Sequence, residues 1–548
     1  MQFSDDQQTR SSSSREGLQQ AVVGDEVVGE GGASGDLELK LEAGAVSNLW
    51  EYEEILNILG FGKTQWILLL ISGLLTMTSM AAQLSVGIIA ISSQCEFDMS
   101  QGEKGVMMAA CVTGIVLSTY IWGYISDVWG RRTVLIWSIF TTNVLQFITM
   151  FVTNIWLFNF INLIMGISLG GISGVLYPYL SEFNTAKYRA VVINYSTMFV
   201  SITAIYVPAI SWLVLSTDWS FEITETFHFK PWRLIILFSL LPGLIGGLLL
   251  LSFPESPKLL LAHEKETEAL KALNWISLYN KGLDLDIVLK SSAISLKPEE
   301  LADADLLTMG RGCSIFTNIW KATVPLFYKP HGLNVILAVV ALFGMMFASN
   351  GMQIWFPEIV NRSAGGLQSG NSATVCEILD ESYARDRLNA TYEEDGSVSG
   401  FCDNSISTKT YIDNIIMGLA FLVGFSIQGA LLNPLGRKNV LIAALAVGAF
   451  CGILLHVVTS TTGVLVLFCL YILLPGLSIS IMCGAMVDLV PTHLRGKAVS
   501  LGFTLGRLGV IVASNLIAGM LEPYCNGLFA IVTCTLLVCG VLVYFLPI

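Results

Sequence analysis

The sequence predicts an all-α membrane protein whose twelve transmembrane helices form two six-helix pseudo-repeat halves. Three observations predict it. Charged residues make up only 13% of the 548-residue chain and hydrophobic residues 53%, about half the charge of a soluble globular chain. Twelve windows are apolar over the roughly twenty residues that a helix needs to cross a bilayer: 65–90, 105–125, 134–152, 155–180, 191–215, 234–253, 333–356, 412–432, 440–458, 464–487, 498–521 and 528–546. Finally, the charged stretch GYISDVWGRR at 123–132 returns 306 positions later as GALLNPLGRK at 429–438, with Asn433 where Asp127 stood.

Residues 1–63 carry 12 acids against 4 bases, are rich in Ser and Gly, and lack an apolar run. They read as a disordered acidic cytoplasmic tail rather than a cleavable signal peptide. With segment 359–411 (8 acids, 4 bases), this tail accounts for nearly all of the net charge of −13. The acidity therefore marks two soluble segments and not a ligand, and no basic stripe points to nucleic acid. Within the tail, EYEEIL at 51–56 reads either as an acidic dileucine-like sorting signal or as an amphipathic helix on the membrane surface.

The first six windows form an N-terminal half, 64–253, and the last six a C-terminal half, 333–548, joined by the loop 254–332. Short loops on one face carry Arg131, Arg132, Lys187, Arg189, Arg437, Lys438, Arg495 and Lys497, whereas those on the other carry only Lys104, Lys230 and Arg233. The bias makes the basic face cytoplasmic, together with both termini and the joining loop. The opposite face is called distal below. A helix is expected over 258–290, with Leu270, Leu273 and Ile276 along one side.

The 306-residue offset extends beyond one motif. Glu182 and Arg189 fall on Asp488 and Arg495, and Gly170 falls on Gly476. The coincidence reads as two halves related as parallel repeats, the arrangement of rocker-switch carriers that bind near the midplane. Chance agreement between cytoplasmic loops is the alternative.

These residues also carry a resemblance. GYISDVWGRR matches the G-x-x-x-D-x-x-G-R-R signature of the major facilitator superfamily, and PESPK at 254–258 is similar to the P-E-S-P-R element of its sugar porters. GFGKTQWILLLISGLLTM, FHFKPWR, FPESPKLLLAHEKETEALKAL and GMQIWFPEIV resemble the synaptic vesicle glycoprotein 2 branch, over about 55–546. The resemblance implies the major facilitator fold. It also implies that Asp127 faces the N-terminus of the eleventh span, around 496–498, as a latch on the outward-facing state, with Arg131 and Arg132 balancing its charge. Glu182, Arg189, Arg437, Asp488 and Arg495 complete the gating set, and Asn433 makes the second copy of the latch neutral. Family relatives clamp their halves together with helices from the joining loop.

Ionisable residues inside a membrane are mostly functional. Arg507 lies ten residues into the eleventh window. It reads either as a cavity cation that holds an anionic or polar substrate, or as a structural Arg bonded to carbonyls or to an acid across the halves. In SNGMQIW, Asn350-Gly351 is expected to loosen the seventh span and expose Asn350 and Gln353. A packing role for the glycine is the alternative. Gln83 and Tyr206 are further polar candidates, with a satisfied core role as their alternative. The resembled branch carries two acids in its first span, where this chain has Ser79 and Ala82, and no other Asp or Glu falls at mid-membrane in these windows. Proton coupling through the first span is therefore not expected.

Outside the membrane, segment 359–411 holds two glycosylation sequons, at Asn361 and Asn389, of which Asn389 stands farther from the membrane. Asn194 also begins a sequon but lies inside a span. Of eleven cysteines, Cys95, Cys376, Cys402 and Cys525 fall in distal loops, where oxidation occurs. Cys376 with Cys402 is the expected pair, among three possible connectivities.

GFGKT lacks the first glycine of a P-loop, having Asn57 there, and no zinc-spaced set or nucleophile elbow occurs. No cofactor, metal or enzyme activity is expected. The reading is a monomeric multi-pass carrier of a small organic solute, anionic or sugar-like, in a plasma or synaptic-like vesicle membrane. The competing class is a non-transporting vesicle glycoprotein that serves as a trafficking or scaffold factor.

Overall fold

Each apolar window falls on a helix of the computed structural model, which describes residues 48–217, 219–224, 227–290, 294–296, 323–329, 331–367, 373–394, 404–490 and 494–547. A short helix α1 (Tyr52–Leu59) precedes the N-terminal half, which comprises α2 (Lys63–Ser92), α3 (Gln101–Trp129), α4 (Arg131–Thr149), α5 (Ile155–Glu182), α6 (Ala186–Leu215) and α7 (Trp232–Leu250). The joining segment contributes α8 (Pro257–Ala262) and α9 (Glu266–Lys281). The C-terminal half follows with α10 (Gly332–Met346), a π-helical turn (Phe347–Gly351), α11 (Met352–Leu367), a distal helix α12 (Val375–Glu394), α13 (Thr408–Leu435), α14 (Arg437–Leu454), α15 (Thr461–Asp488), α16 (Arg495–Met520) and α17 (Cys525–Phe545).

Eleven of these helices are long and apolar enough to cross a membrane, counting α10 to α11 as one. In such a segment the helix satisfies every backbone polar group internally. Helix α4 occupies the third window with 19 residues but is more polar, because Ser138, Thr142, Asn143 and Gln146 turn into the protein and are buried. Local signals set several starts. Ser100 caps α3 in a reciprocal box with Glu103, Asn154 Oδ1 accepts the Trp156 and Leu157 N–H groups at the start of α5, and Ser407 caps α13. The glycines that enter α4 and α14, Gly130 and Gly436, share a positive φ (+106° and +77°) at the 306-residue offset. Only glycine adopts that conformation without strain.

Four expectations need correction. The tail is not disordered up to residue 63: α1 forms at 52–59, and its Tyr52, Ile55, Leu56 and Leu59 are buried. EYEEIL therefore lies largely in a helix packed on the protein, not on lipid, because its apolar stripe meets α9, whose Ala269, Leu273 and Ile276 are equally buried. Residues 1–47 lie outside the described residues. Second, α9 docks on the N-terminal half, through Asn280 to Thr64 N (3.0 Å) and Gln65 Oε1 (2.9 Å) and Lys281 to the Ile58 carbonyl (2.6 Å). These contacts lie within the N-terminal half, and residues 297–322 of the joining loop lie outside the described residues. Third, segment 359–411 begins inside α11 and holds α12, at whose start the Thr374 N–H (2.7 Å) keeps the Glu377 carboxyl below the usual range.

Fourth, Cys376 pairs with Cys525, their Cα atoms 5.6 Å apart, and not with Cys402. The reason is α12 itself. Its first turn carries Cys376 against the start of α17, where Cys525 stands, and Cys402 lies outside the described residues. Cys95 is also disulfide-bonded.

Candidate functional site

Arg507 stands at the thirteenth of the 26 positions of α16, halfway through the helix, and is half-buried. Its Nη1 lies 3.5 Å from Thr119 Oγ1 on α3, and its guanidinium 5.9 Å from the Phe503 ring. Thr119 donates its own proton to the Ile115 carbonyl (2.6 Å), so its lone pairs remain for Arg507. Tyr177 of α5, bonded to Thr76 of α2, and the thiols Cys111 and Cys483 are the titratable neighbours. No carboxylate pairs with Arg507 among the described residues. The paired-acid version of the structural reading thus finds no partner, and both halves supply groups around one cation.

The seventh span runs on through a π-helical turn without a break. Asn350 lies in the π-helical turn and Gln353 just beyond it, both half-buried, while Ser349 Oγ donates to the Ile472 carbonyl (2.8 Å). Such turns recur where a helix serves a site. Gln83 and Tyr206 differ. Gln83 Nε2 donates to the Ser79 carbonyl (2.8 Å) and the Tyr206 hydroxyl to the Phe238 carbonyl (2.9 Å), so both are satisfied within the N-terminal half.

At the distal face the halves close on one another. A β-carbon on Gly87 would fall 2.4 Å from the Ile354 carbonyl oxygen, one on Gly105 2.5 Å from Ala518 Cβ, and one on Gly418 2.8 Å from the Ala204 backbone. Beside these contacts Lys104 of α3 meets Glu358 of α11 at 2.9 Å, with only 1% and 2% exposure. Toward the basic face, Gly123, Gly429, Gly484 and Gly496 have open space where a β-carbon would stand. Glu358 was missed because the window was closed at 356, although the helix continues. Asp413 on α13 is a second buried acid missed near a span end.

At the basic face Arg131 pairs with Glu182 (2.9 Å) and lies 3.5 Å from Asp127, while Arg437 pairs with Asp488. These pairs stand at the 306-residue offset. Asp127 is 39% exposed, and its carbonyl accepts from His263 Nε2 (2.8 Å). Arg132 donates its backbone N–H to Glu255 Oε1 (2.9 Å) and its guanidinium to the Leu251 carbonyl (2.7 Å). Glu255, in the PESPK stretch, thus places a carboxylate at the N-terminus of α4, where the helix dipole favours it. Arg189 pairs with Glu53 of α1 (2.9 Å) and not with Glu182. Arg495 is exposed as the first residue of α16, and Asn433 lies in α13 with its side chain outside the described residues.

The Asn361 amide of the proximal sequon is fully engaged, donating to the Ser405 carbonyl (3.1 Å) and accepting from Ser407 N and Thr410 Oγ1 (3.0 Å each). Asn389 lies in α12, its side chain outside the described residues, and Asn194 lies inside α6.

Residues 68–375 match the Major Facilitator Superfamily family profile. The chain is 26% identical over 322 residues to human synaptic vesicle glycoprotein 2B, covering 57% of this chain and 47% of that one. It is also 26% identical over 346 residues to bovine synaptic vesicle glycoprotein 2A, covering 61% and 46%. The aligned stretch thus spans about half the length of these relatives. Among solved structures, the xylose transporter XylE from E. coli in a partially occluded inward open conformation superposes with a TM-score of 0.61 at 14% identity, covering 88% of this chain and 100% of that one. The proton:xylose symporter bound to 6-bromo-6-deoxy-D-glucose gives 0.58 at 16% identity, covering 89% and 97%.

Proposed function

We propose that the chain, which belongs to the Major Facilitator Superfamily, carries a small organic solute with an anionic group across the membrane by alternating access. One observation carries the reading. Arg507 is a half-buried cation at the middle of α16, between the halves, without a carboxylate partner among the described residues. A charge in that position is retained at a cost unless something binds it. Thr119 and Tyr177 stand beside it from the N-terminal half. The closed distal face and the open space toward the basic face support a state that loads or unloads at the basic face, the cytoplasmic one by the loop charges.

The test is uptake of a radiolabelled metabolite panel into proteoliposomes, with and without a pH gradient. The expected substrate is anionic, and its uptake is lost in Arg507→Ala and partly kept in Arg507→Lys, which preserves charge without the planar fork. An Ala variant that is stable, well expressed and unchanged in uptake would remove Arg507 from the site. A second reading, a vesicle glycoprotein that keeps the fold without transport, draws on the relatives' vesicle names and on Ser79 and Ala82 standing where the branch has acids. A blank panel with intact protein favours it.

A further inference from the structure

We propose that Lys104 and Glu358 are the distal gate of the carrier, with Glu358 as its decisive charge. The two side chains come from different halves, meet at 2.9 Å and are withdrawn from solvent, with 1% and 2% exposure. Around them the halves touch at Gly87, Gly105 and Gly418, so the pair sits inside the distal seal. A rocking motion that opens this face must separate α3 from α11, and therefore must break this contact.

The pair is not symmetric. Glu358 Oε1 accepts from Lys104 Nζ (2.9 Å) and also from Arg362 Nε (2.8 Å), one turn along α11. Lys104 Nζ also donates to Gln94 Oε1 (2.8 Å) within its own half. Arg362 is held from outside by α12, stacking 4.3 Å over the Tyr383 ring, and α12 is tied to α17 through Cys376 and Cys525. One carboxylate thus neutralises a cation on its own helix and attracts another across the interface. When the face opens, Arg362 stays with Glu358, and Lys104 leaves with α3 as a cation at the distal mouth.

That asymmetry has a consequence for the solute, resting on the transport reading above. Thr119, which touches Arg507, lies 15 positions farther along α3 than Lys104, about 22 Å at the helical rise. An anionic solute from the distal side meets a cation that is exposed only in the distal-open state, on the helix that leads to Arg507.

The asymmetry also supplies the test. Glu358→Gln strands the buried Lys104 and removes one partner of Arg362, whereas Lys104→Gln leaves Glu358 paired with Arg362. The readout is labelling of the native Cys483 thiol, half-exposed beside Arg507, by a membrane-impermeant maleimide added from the distal side. The remaining free cysteines are alanine in this background, and labelling is normalised to surface protein. Labelling is expected to rise several-fold in Glu358→Gln and to rise less in Lys104→Gln. If Glu358→Gln does not reach the membrane, Glu358→Asp, which keeps the charge at shorter reach, is expected to give the same direction at smaller size. Distal labelling no faster in Glu358→Gln than in the parent, or a larger effect of Lys104→Gln, would each overturn the proposal. A pair with only a structural role would lower the melting temperature of both single variants and leave distal labelling unchanged. Labelling needs no solute, so failure of the gate and failure of the uptake panel are separate results.

Discussion

The same ion pair is built twice, by Arg131 with Glu182 in the N-terminal half and by Arg437 with Asp488 in the C-terminal half. In the first copy the side chains are 13% and 9% exposed, and in the second 52% and 59%. The repeat supplies the same turn glycine at the same kind of φ and an acid, Glu182 or Asp488, at the end of the fourth helix of each half. What differs is the cover. Glu182 accepts from Ser256 Oγ (2.5 Å), its carbonyl accepts from the Tyr52 hydroxyl, and Glu255 fills the space beside Gly130. Beside Gly436 that space is empty. Sequence symmetry therefore carries the geometry of the pair, while segments outside the repeat decide how much energy rests on it.

The comparison breaks first at its acids. Glu182→Gln leaves Arg131 nearly buried without its main partner. Losing one member of a buried pair costs roughly 3–5 kcal/mol, and about 3 is expected here because Asp127 still faces the guanidinium. Asp488→Asn removes an exposed partner, for which about 0–1 kcal/mol is expected. Unfolding in detergent, followed for both variants, measures the difference. Equal losses would mean that the cover at 52–59 and 255–263 does not matter.

Glu255 sharpens the comparison with a smaller effect. It is the part of the cover that caps α4 through the Arg132 N–H (2.9 Å) and Thr133 N–H (3.4 Å). Glu255→Ala is expected to cost about 1 kcal/mol, the ordinary loss of a helix cap. It should also shrink the gap between Glu182→Gln and Asp488→Asn when the substitutions are combined. A fully additive result would show that Glu255 acts on α4 alone.

How much of this was legible follows the same division. Hydropathy located all twelve windows, and the offset joined Glu182 to Asp488 and Arg131 to Arg437. Periodicity cannot say whether Arg131 reaches Asp127 four residues back or Glu182 on another helix, because both lie within an arginine's reach. Glu358 was lost for a definite reason: apolar windows stop where charge begins, yet the helix runs on to Leu367, and a span end is where a gate charge belongs. Cys376 was misassigned because loop proximity was read as spatial proximity, before α12 was visible. At Asn350-Gly351 the sequence offered two readings, and the structure shows features of both: a π-helical turn, and a glycine packed so closely on α16 that a β-carbon would fall 2.2 Å from Ala513 Cβ. Arg507 was found through its rarity, and its neighbours Thr119 and Tyr177 only through the fold.

The smallest effect concerns Asp127 and Asn433, the one position in the motif where the halves differ in charge. Asp127 stands near the basic end of α3, 39% exposed and 3.5 Å from Arg131. As a latch it would act when the basic face closes and the N-terminus of α16, beginning at Arg495, approaches α3. An exposed carboxylate at a helix N-terminus is worth about 0.3–1 kcal/mol, which shifts a two-state population about 1.5- to 5-fold. Asp127→Asn should therefore raise the share of the basic-open state by that factor, and Asn433→Ala should leave it nearly unchanged. The ratio of Cys483 labelling from the two sides of the membrane reads the population directly. The substitution also weakens the contact with Arg131, but an exposed ion pair of this kind contributes about 0–1 kcal/mol, and that loss would appear in the melting temperature without a change in the labelling ratio. A shifted ratio with an unchanged melting temperature assigns the charge to the latch. Equal shifts from Asp127→Asn and Asn433→Ala would mean that the copies act alike and that the one-sided latch does not exist.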